Sequence, residues 1–83
     1  MSEDLTRWDP FVRHLCDALG IDSTNTDVPA ILDLTRIVAH SGARPMAPVS
    51  AYLLGLAVGS RPGESADELR DILLEAVSSA PHV

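Results

Sequence analysis

The segment of residues 48–59, PVSAYLLGLAVG, constrains the fold of this chain more than any other stretch. It contains no charged side chain, and it is bounded by Pro48 at one end and Gly59 at the other. A helix formed by these residues is apolar on every side, and such helices are usually buried. We therefore expect it to be the central helix of a helical core. The alternative is that part of it faces another protein.

The rest of the chain also has the periodicity of helices, and no stretch alternates as a strand does. A chain of 83 residues suits a single domain, and short connectors separate its apolar segments. The expected fold is an all-α, compact four-helix domain with short loops, formed by residues 1–83. The predicted helices span about residues 9–19, 28–41, 48–59 and 65–79.

Capping residues mark the ends of three predicted helices. Asp9 is expected to cap the first helix, which should end at Gly20 because glycine readily adopts the left-handed conformation there. Asp27 is expected to cap the second helix. Ser65 and Glu68 have the spacing of a capping box at the start of the fourth.

The first and fourth predicted helices are amphipathic, since their apolar residues recur at the spacing of one helical face. The first helix is expected to bury that face in the core, with Trp8 as an anchor and Cys16 as a small core residue. The face of the first helix comprises Trp8, Phe11, Val12, Leu15, Ala18 and Leu19.

The net charge of −6 argues against nucleic acid as a partner. The middle of the chain differs from its ends, because residues 28–63 carry one acid and three arginines. Cys16 is the single cysteine, so no disulfide forms within the chain. The chain shows no signal-peptide pattern, and its apolar runs are shorter than the roughly 20 residues of a membrane helix. A cytoplasmic protein without a membrane partner is expected.

Polar residues of the second predicted helix form a candidate binding site. Asp33, Arg36 and His40 lie along one side of that helix, and Arg44 follows in the next turn. One interpretation is structural: an Asp33–Arg36 surface pair, with His40 and Arg44 beside the carbonyl groups that end the helix. The other is an anion site, in which the three basic residues join free N–H groups of the third helix. The anion would be a phosphate, a carboxylate or an acidic protein surface.

Small residues form a second candidate site, on the third helix. Ala47, Ala51, Gly55 and Gly59 recur every four residues, and small side chains let another backbone approach closely. The neighbour is either a helix of the same chain or another protein. Ala51, Gly55 and Gly59, with Tyr52, are therefore interface candidates.

No catalytic or metal-binding pattern is apparent, and no cofactor is expected. Cys16 and His14 are two residues apart on a helix and point in different directions. The three histidines and one cysteine do not have the spacing of metal ligands. The chain is therefore expected not to be an enzyme.

The stretch ILDLTRIVAHSGARPMAPVSAYLLGLAVG resembles a small actinobacterial helical domain family of unassigned function. The resemblance covers roughly residues 8–60. The residues that carry it are Trp8, Leu32, Asp33, Leu34, Arg36, His40, Arg44, Pro45, Gly55 and Gly59. Members of that family look like standalone proteins or C-terminal extensions of molybdenum-cofactor guanylyltransferases.

The resemblance implies a place in the synthesis or delivery of molybdopterin guanine dinucleotide. It does not imply guanylyltransferase activity, because the glycine-rich nucleotide loop of those enzymes is absent. The expected function is a non-enzymatic accessory module whose protein partner is a molybdenum-cofactor guanylyltransferase or a related enzyme. The alternatives are a protein that binds a small anion, such as a phosphorylated metabolite or nucleotide, and a structural homodimer.

Overall fold

The computed structural model describes residues 5–80. Its helices are α1 (Asp9–Leu19), α2 (Val28–His40), α3 (Met46–Ser60) and α4 (Ala66–Ser78). A single 3-10 turn, Leu5–Trp8, leads into α1, and another, Ser23–Asn25, lies between α1 and α2. The described residues contain no strand. The predicted all-α, compact domain of four helices is confirmed.

Local hydrogen bonds begin α2 and α4 where the sequence predicts. The Asp27 carboxylate accepts a hydrogen bond of 3.1 Å from the N–H of Ala30. The Ser65 hydroxyl accepts one of 3.1 Å from the N–H of Glu68, whose carboxylate accepts one of 3.5 Å from the N–H of Ser65. Gly20 ends α1 in the left-handed conformation, with a φ of 70°. These predicted caps are confirmed, and each satisfies N–H or carbonyl groups that a helix end leaves free.

Two predicted helix starts differ from the structure. Asp9 does not cap α1 but is its first residue, because the chain enters from a 3-10 turn and Trp8 already has helical backbone angles. Helix α3 begins at Met46, two residues before the predicted start at Pro48. Pro48 instead lies in the first turn, where a missing N–H removes no hydrogen bond within the helix.

The core is formed by three helices, since α2, α3 and α4 pack against one another. Each of these helices contributes at least one fully covered side chain. The buried residues of this core are Leu34, Val38, Leu54 and Leu69. The residues packed around them are Ile31, Ala43, Ala47, Ala57, Val58, Leu73, Leu74 and Val77.

Arg70 of α4 joins the packed helices electrostatically. Its guanidinium lies 3.2 Å from the carboxylate of Asp67, 3.0 Å from that of Asp71 and 3.9 Å from that of Asp33 on α2. The hydrogen bond to Asp71 and the neighbouring negative charges raise the pKa of Arg70. Arginine is charged at any physiological pH, and the contact with Asp33 links α4 to α2.

Helix α3 is not buried on all sides, and the prediction of a central helix is wrong. Leu54 is its only fully buried residue. Large apolar residues on its other faces remain exposed. The reason is geometric: α2 and α4 cover one side of α3, and no further helix of the described chain packs over the rest.

Helix α1 lies at the edge of this three-helix core. Its main contacts are with the two 3-10 turns that flank it. Cys16 is buried, as predicted, but Trp8 is 43% exposed and does not anchor the core. The prediction that the apolar face of α1 lies in the core is wrong, because α1 packs on its own connectors rather than on α2, α3 and α4.

Candidate functional site

The basic residues of α2 lie on its solvent side. Arg36 and His40 each follow a buried residue, Leu34 and Val38, by two positions, which places them on the opposite side of the helix. A nitrogen of the Arg36 guanidinium donates a hydrogen bond of 2.7 Å to the carboxylate of Asp33, and both side chains are exposed to solvent. The structure therefore contains the surface pair of the structural interpretation.

His40 and Arg44 are both exposed. Within residues 5–80, neither side chain forms an ion pair or a hydrogen bond with another residue. The hydroxyl of Ser41, rather than either basic residue, donates to a carbonyl at the end of α2, that of Val38, at 2.7 Å. We call Arg36, His40 and Arg44 the basic edge, and its role in binding stays a prediction.

The start of α3 offers few free donors to an anion. The N–H of Met46 donates to the carbonyl of Ala43 at 2.8 Å, and the N–H of Ala47 donates to that of Arg44 at 3.1 Å. Pro48, in the same turn, has no N–H. The part of the anion-site hypothesis that relied on free N–H groups of the third helix is therefore wrong.

The four interface candidates of α3 divide between two environments. Ala51 is half-buried, whereas Tyr52, Gly55 and Gly59 are exposed. Tyr52, Gly55 and Gly59 are spaced by three and four residues, so they share one face of the helix. The predicted stripe of small residues thus runs from the packed side of α3 at Ala47 to its solvent side at Gly59.

Gly55 and Gly59 line an open groove of about 570 Å³ between α3, the start of α2 and the connectors that follow α1 and α3. A Cβ atom added at either glycine would meet no atom of residues 5–80 within 4 Å, apart from those of its own stretch of helix. The prediction that these glycines permit close packing between helices of one chain is therefore wrong. We call this space the glycine groove, and its lining residues are Ile21, Asp22, Thr26, Asp27, Ile31, Leu54, Gly55, Val58, Gly59, Pro62, Glu64 and Ala66.

The glycine groove has an apolar floor and an acidic rim. Asp22, Asp27 and Glu64 are its charged lining residues. The backbone hydrogen bond from Thr24 lowers the pKa of Asp22, so this carboxylate is charged at neutral pH. Arg61 lies 3.4 Å from Glu64 and offsets one of the three negative charges. The groove therefore favours an apolar or cationic occupant and repels a phosphate.

Two further apolar surfaces are exposed where the sequence predicts buried ones. Among the described residues, twelve large hydrophobic side chains are exposed, whereas six hydrophobic residues are buried. The outer face of α3 consists of Met46, Val49, Leu53 and Leu56, each 44 to 49% exposed. The α1 ridge consists of Trp8, Phe11, Leu15 and Leu19, which are 43 to 73% exposed.

Sequence reasoning identified these apolar residues but assigned them to the core. The spacing of the α1 ridge indicates that one side of the helix is to be covered, and it does not indicate what covers it. The even distribution of apolar residues on α3 was the signal for its outer face, since such a helix needs neighbours on all sides. Contiguous exposed apolar surfaces of this kind are typical of protein interfaces.

Among the described residues, neither a cluster of metal ligands nor a membrane-spanning helix is present. No group of three or more histidine, cysteine, aspartate or glutamate side chains among them is arranged to hold a metal ion. Cys16 is buried, and its sulfur lies 3.7 Å from the hydroxyl of Thr26. No helix in this part of the chain has the length and hydropathy to cross a membrane.

Comparison with known proteins gives a family assignment. A family model described as "Domain of unknown function (DUF6457)" matches residues 3–82. No curated protein and no solved structure matches the chain. Because the family model covers nearly the whole chain, the chain belongs to this family, and the expectation of a family without an assigned function is confirmed.

Proposed function

We propose that this member of the DUF6457 family is a non-enzymatic interaction module that docks on a protein partner through the outer face of α3. The observation that carries the proposal is the exposure of Met46, Val49, Leu53 and Leu56 on one side of a helix. Their spacing of three, four and three residues is that of a helix seam packed against another helix. An exposed apolar face of this kind is typical of an interaction site.

Arg44, the last residue of the basic edge, supplies a charged group near the start of this face. Arg44 lies two residues before Met46, and its side chain forms no ion pair within the described chain. Interfaces commonly surround an apolar centre with polar and charged residues, which affect the rate of association and the choice of partner. The partner surface is therefore expected to be apolar with acidic groups at its edge.

The proposed partner is an enzyme of molybdenum-cofactor guanylylation. The resemblance over roughly residues 8–60 supports this choice, since its matching positions include the polar residues Asp33, Arg36, His40 and Arg44. In this proposal the chain binds the enzyme, or holds it near the protein that receives the finished cofactor. It performs no chemistry itself.

Binding of a small anion is the less favoured alternative. The glycine groove is large enough for a metabolite, but its rim is acidic. The basic edge lies elsewhere, and its Arg36 is already paired with Asp33. Neither surface combines a cavity with positive charge, which is the combination that phosphate binding requires.

The test is a binding measurement with a purified molybdenum-cofactor guanylyltransferase from the same organism. Leu53→Asp places a charge in the centre of the outer face and is expected to raise the dissociation constant at least about thirty-fold, the effect of a central interface residue. Ile72→Asp, at an exposed position of α4, is the matched control and is expected to bind like the wild type. Absence of wild-type binding, or equal binding by both variants, would refute the proposal.

A further inference from the structure

Two surfaces of this chain complement each other, although neither covers the other within one molecule. The α1 ridge is an exposed row of large apolar side chains, and the glycine groove is an open, largely apolar space. We propose that the α1 ridge of a second copy fills the glycine groove, and that the contact is made twice in a two-fold symmetric dimer.

The α1 ridge is organised for contact with a partner. Cys16 buries one flank of α1 against the connector to α2, where its sulfur meets Thr26. The ridge itself is left in solvent. The rings of Trp8 and Phe11 meet edge to face with their centres 6.3 Å apart, which fixes one relative to the other before any partner binds. The aromatic start of the ridge is thus formed before a partner binds.

The glycine groove has the shape that such a row needs. Gly55 and Gly59 are one helical turn apart and leave the floor of the groove smooth. A glycine inside a helix is less favourable than alanine by about 1 kcal/mol. No group of the described residues uses the space that these two glycines leave. A second helix can therefore approach α3 closely at this point, with Ile31 and Val58 as apolar neighbours.

The charges of the two surfaces are also complementary. The guanidinium of Arg7 lies 4.9 Å from the centre of the Trp8 ring, so a positive charge lies at the start of the ridge. The groove carries Asp22, Asp27 and Glu64 on its rim. Asp17 follows Leu15 by two positions, which places this acid of α1 on the side of the helix away from the ridge.

Symmetry selects a second copy as the occupant. A foreign helix in the groove would leave the α1 ridge exposed, whereas a two-fold dimer covers the ridge and the groove of both copies together. A stable interface covers roughly 800 Å² on each partner. A pair of reciprocal ridge–groove contacts supplies twice the area of one, and the outer face of α3 remains free for the partner proposed above.

The experiment is analytical ultracentrifugation of the full chain and its variants. The wild type is expected to sediment as a dimer at about 100 μM, and Phe11→Asp and Gly55→Leu are each expected to raise the dimer dissociation constant at least about a hundred-fold. Phe11 is 58% exposed and Gly55 has open space around it, so both variants are expected to fold, which circular dichroism checks. Ile72→Asp and Ala76→Leu, at exposed positions of α4, are the matched controls and should remain dimeric.

A mixture of the two variants gives the decisive result. A heterodimer of Phe11→Asp with Gly55→Leu retains one wild-type ridge facing one wild-type groove, while its other contact carries both substitutions. Mixing is therefore expected to restore part of the association, with a dissociation constant below that of either variant alone and above that of the wild type. A monomeric wild type would overturn the proposal, and its groove would then be open to a foreign helix. Dimers that survive both single variants would also overturn it, as would a mixture that associates less tightly than either variant alone. Leu53→Asp should leave the dimer intact, which separates this result from the binding test of the proposed function.

Discussion

Helices α1 and α4 have similar sequence patterns and different surroundings. Both are amphipathic, and both are flanked by short connectors. Leu69 of α4 is 2% exposed and lies in the core with Leu73 and Val77, while Arg70 joins α4 to Asp33 of α2. In α1 only Cys16 is buried, and the apolar ridge is left in solvent. An amphipathic pattern thus indicates which face is to be covered, and does not indicate whether the same chain covers it.

The connectors account for this difference. The segment between α3 and α4 is a tight turn, in which the N–H of Glu64 donates to the carbonyl of Arg61 at 3.0 Å, and it returns α4 to the core. The connector after α1 contains its own 3-10 turn, Ser23–Asn25, and α1 packs on that turn. Helix α1 is therefore stabilised by neighbours in sequence, and α4 by residues distant in sequence.

Matched leucine truncations in α4 and α1 test this contrast, and they include the largest expected effect. Leu69→Ala should lower the free energy of unfolding by about 2–5 kcal/mol, because it removes a core side chain and leaves a cavity. Leu15→Ala, on the α1 ridge, should lower it by less than about 1 kcal/mol at concentrations where the chain is monomeric. Urea denaturation measures both. Equal losses for the two variants would show that α1 is as well packed as α4.

Alanine at Gly55 is expected to have a smaller effect of the opposite sign. The new methyl group meets no atom of the described residues outside its own stretch of helix within 4 Å, and alanine is favoured over glycine inside a helix. Gly55→Ala should therefore raise the free energy of unfolding by about 0.5–1 kcal/mol. The measurement is thermal and urea denaturation of dilute protein, with Gly20→Ala as a contrast. That second variant should destabilise the chain, because Gly20 has a φ of 70°.

Removal of two basic residues is expected to change stability little. Arg36 forms an exposed ion pair with Asp33, and Arg44 forms none within the described chain, so Arg36→Ala with Arg44→Ala should shift the melting temperature by no more than a few degrees. The same double variant should weaken binding to an acidic partner, and the loss should shrink as salt is added. Unfolding of the double variant would instead make these residues structural. The control for the binding measurement is Arg61→Ala, which removes an exposed arginine outside the basic edge and should leave binding unchanged.

The smallest expected effect concerns the connector beneath α1 and depends on pH. The backbone hydrogen bond from Thr24 lowers the pKa of Asp22 below its ordinary value of 3.8. A lowered pKa means that Asp22 stabilises the fold above pH 3.8 and that this contribution is lost as the pH falls through the folded-state pKa. Asp22→Ala should therefore be slightly less stable than the wild type at pH 7, and the difference should vanish in acid. A difference that is the same at every pH would contradict this.

Much of the helical framework can be read from the sequence, because its causes are local. Asp27 and the pair Ser65 and Glu68 act on N–H groups within three residues, so spacing alone predicts them. Asp9 was the exception. Its role as a cap was displaced by the preceding 3-10 turn, which no capping rule at Asp9 itself reveals.

The candidate sites were less predictable, because they depend on neighbours distant in sequence. Spacing identified the Asp33–Arg36 pair, and it identified Gly55 and Gly59 as a position of close approach. It could not show that no other described residue fills the space beside those glycines, or that an acidic rim borders it. Those facts require the positions of Asp22 and Glu64, which come from two different connectors, the one after α1 and the one after α3.

The sequence by itself determined that this protein is a set of four helices, where most of them begin and end, and which side chains water disfavours. Those properties follow from hydrogen bonds and periodicity within a few residues. Only the tertiary structure decided that α3 is covered on one side, that α1 lies outside the core and that a groove remains beside Gly55. The physical reason is that burial belongs to pairs of surfaces, and the sequence of one helix describes a single member of each pair.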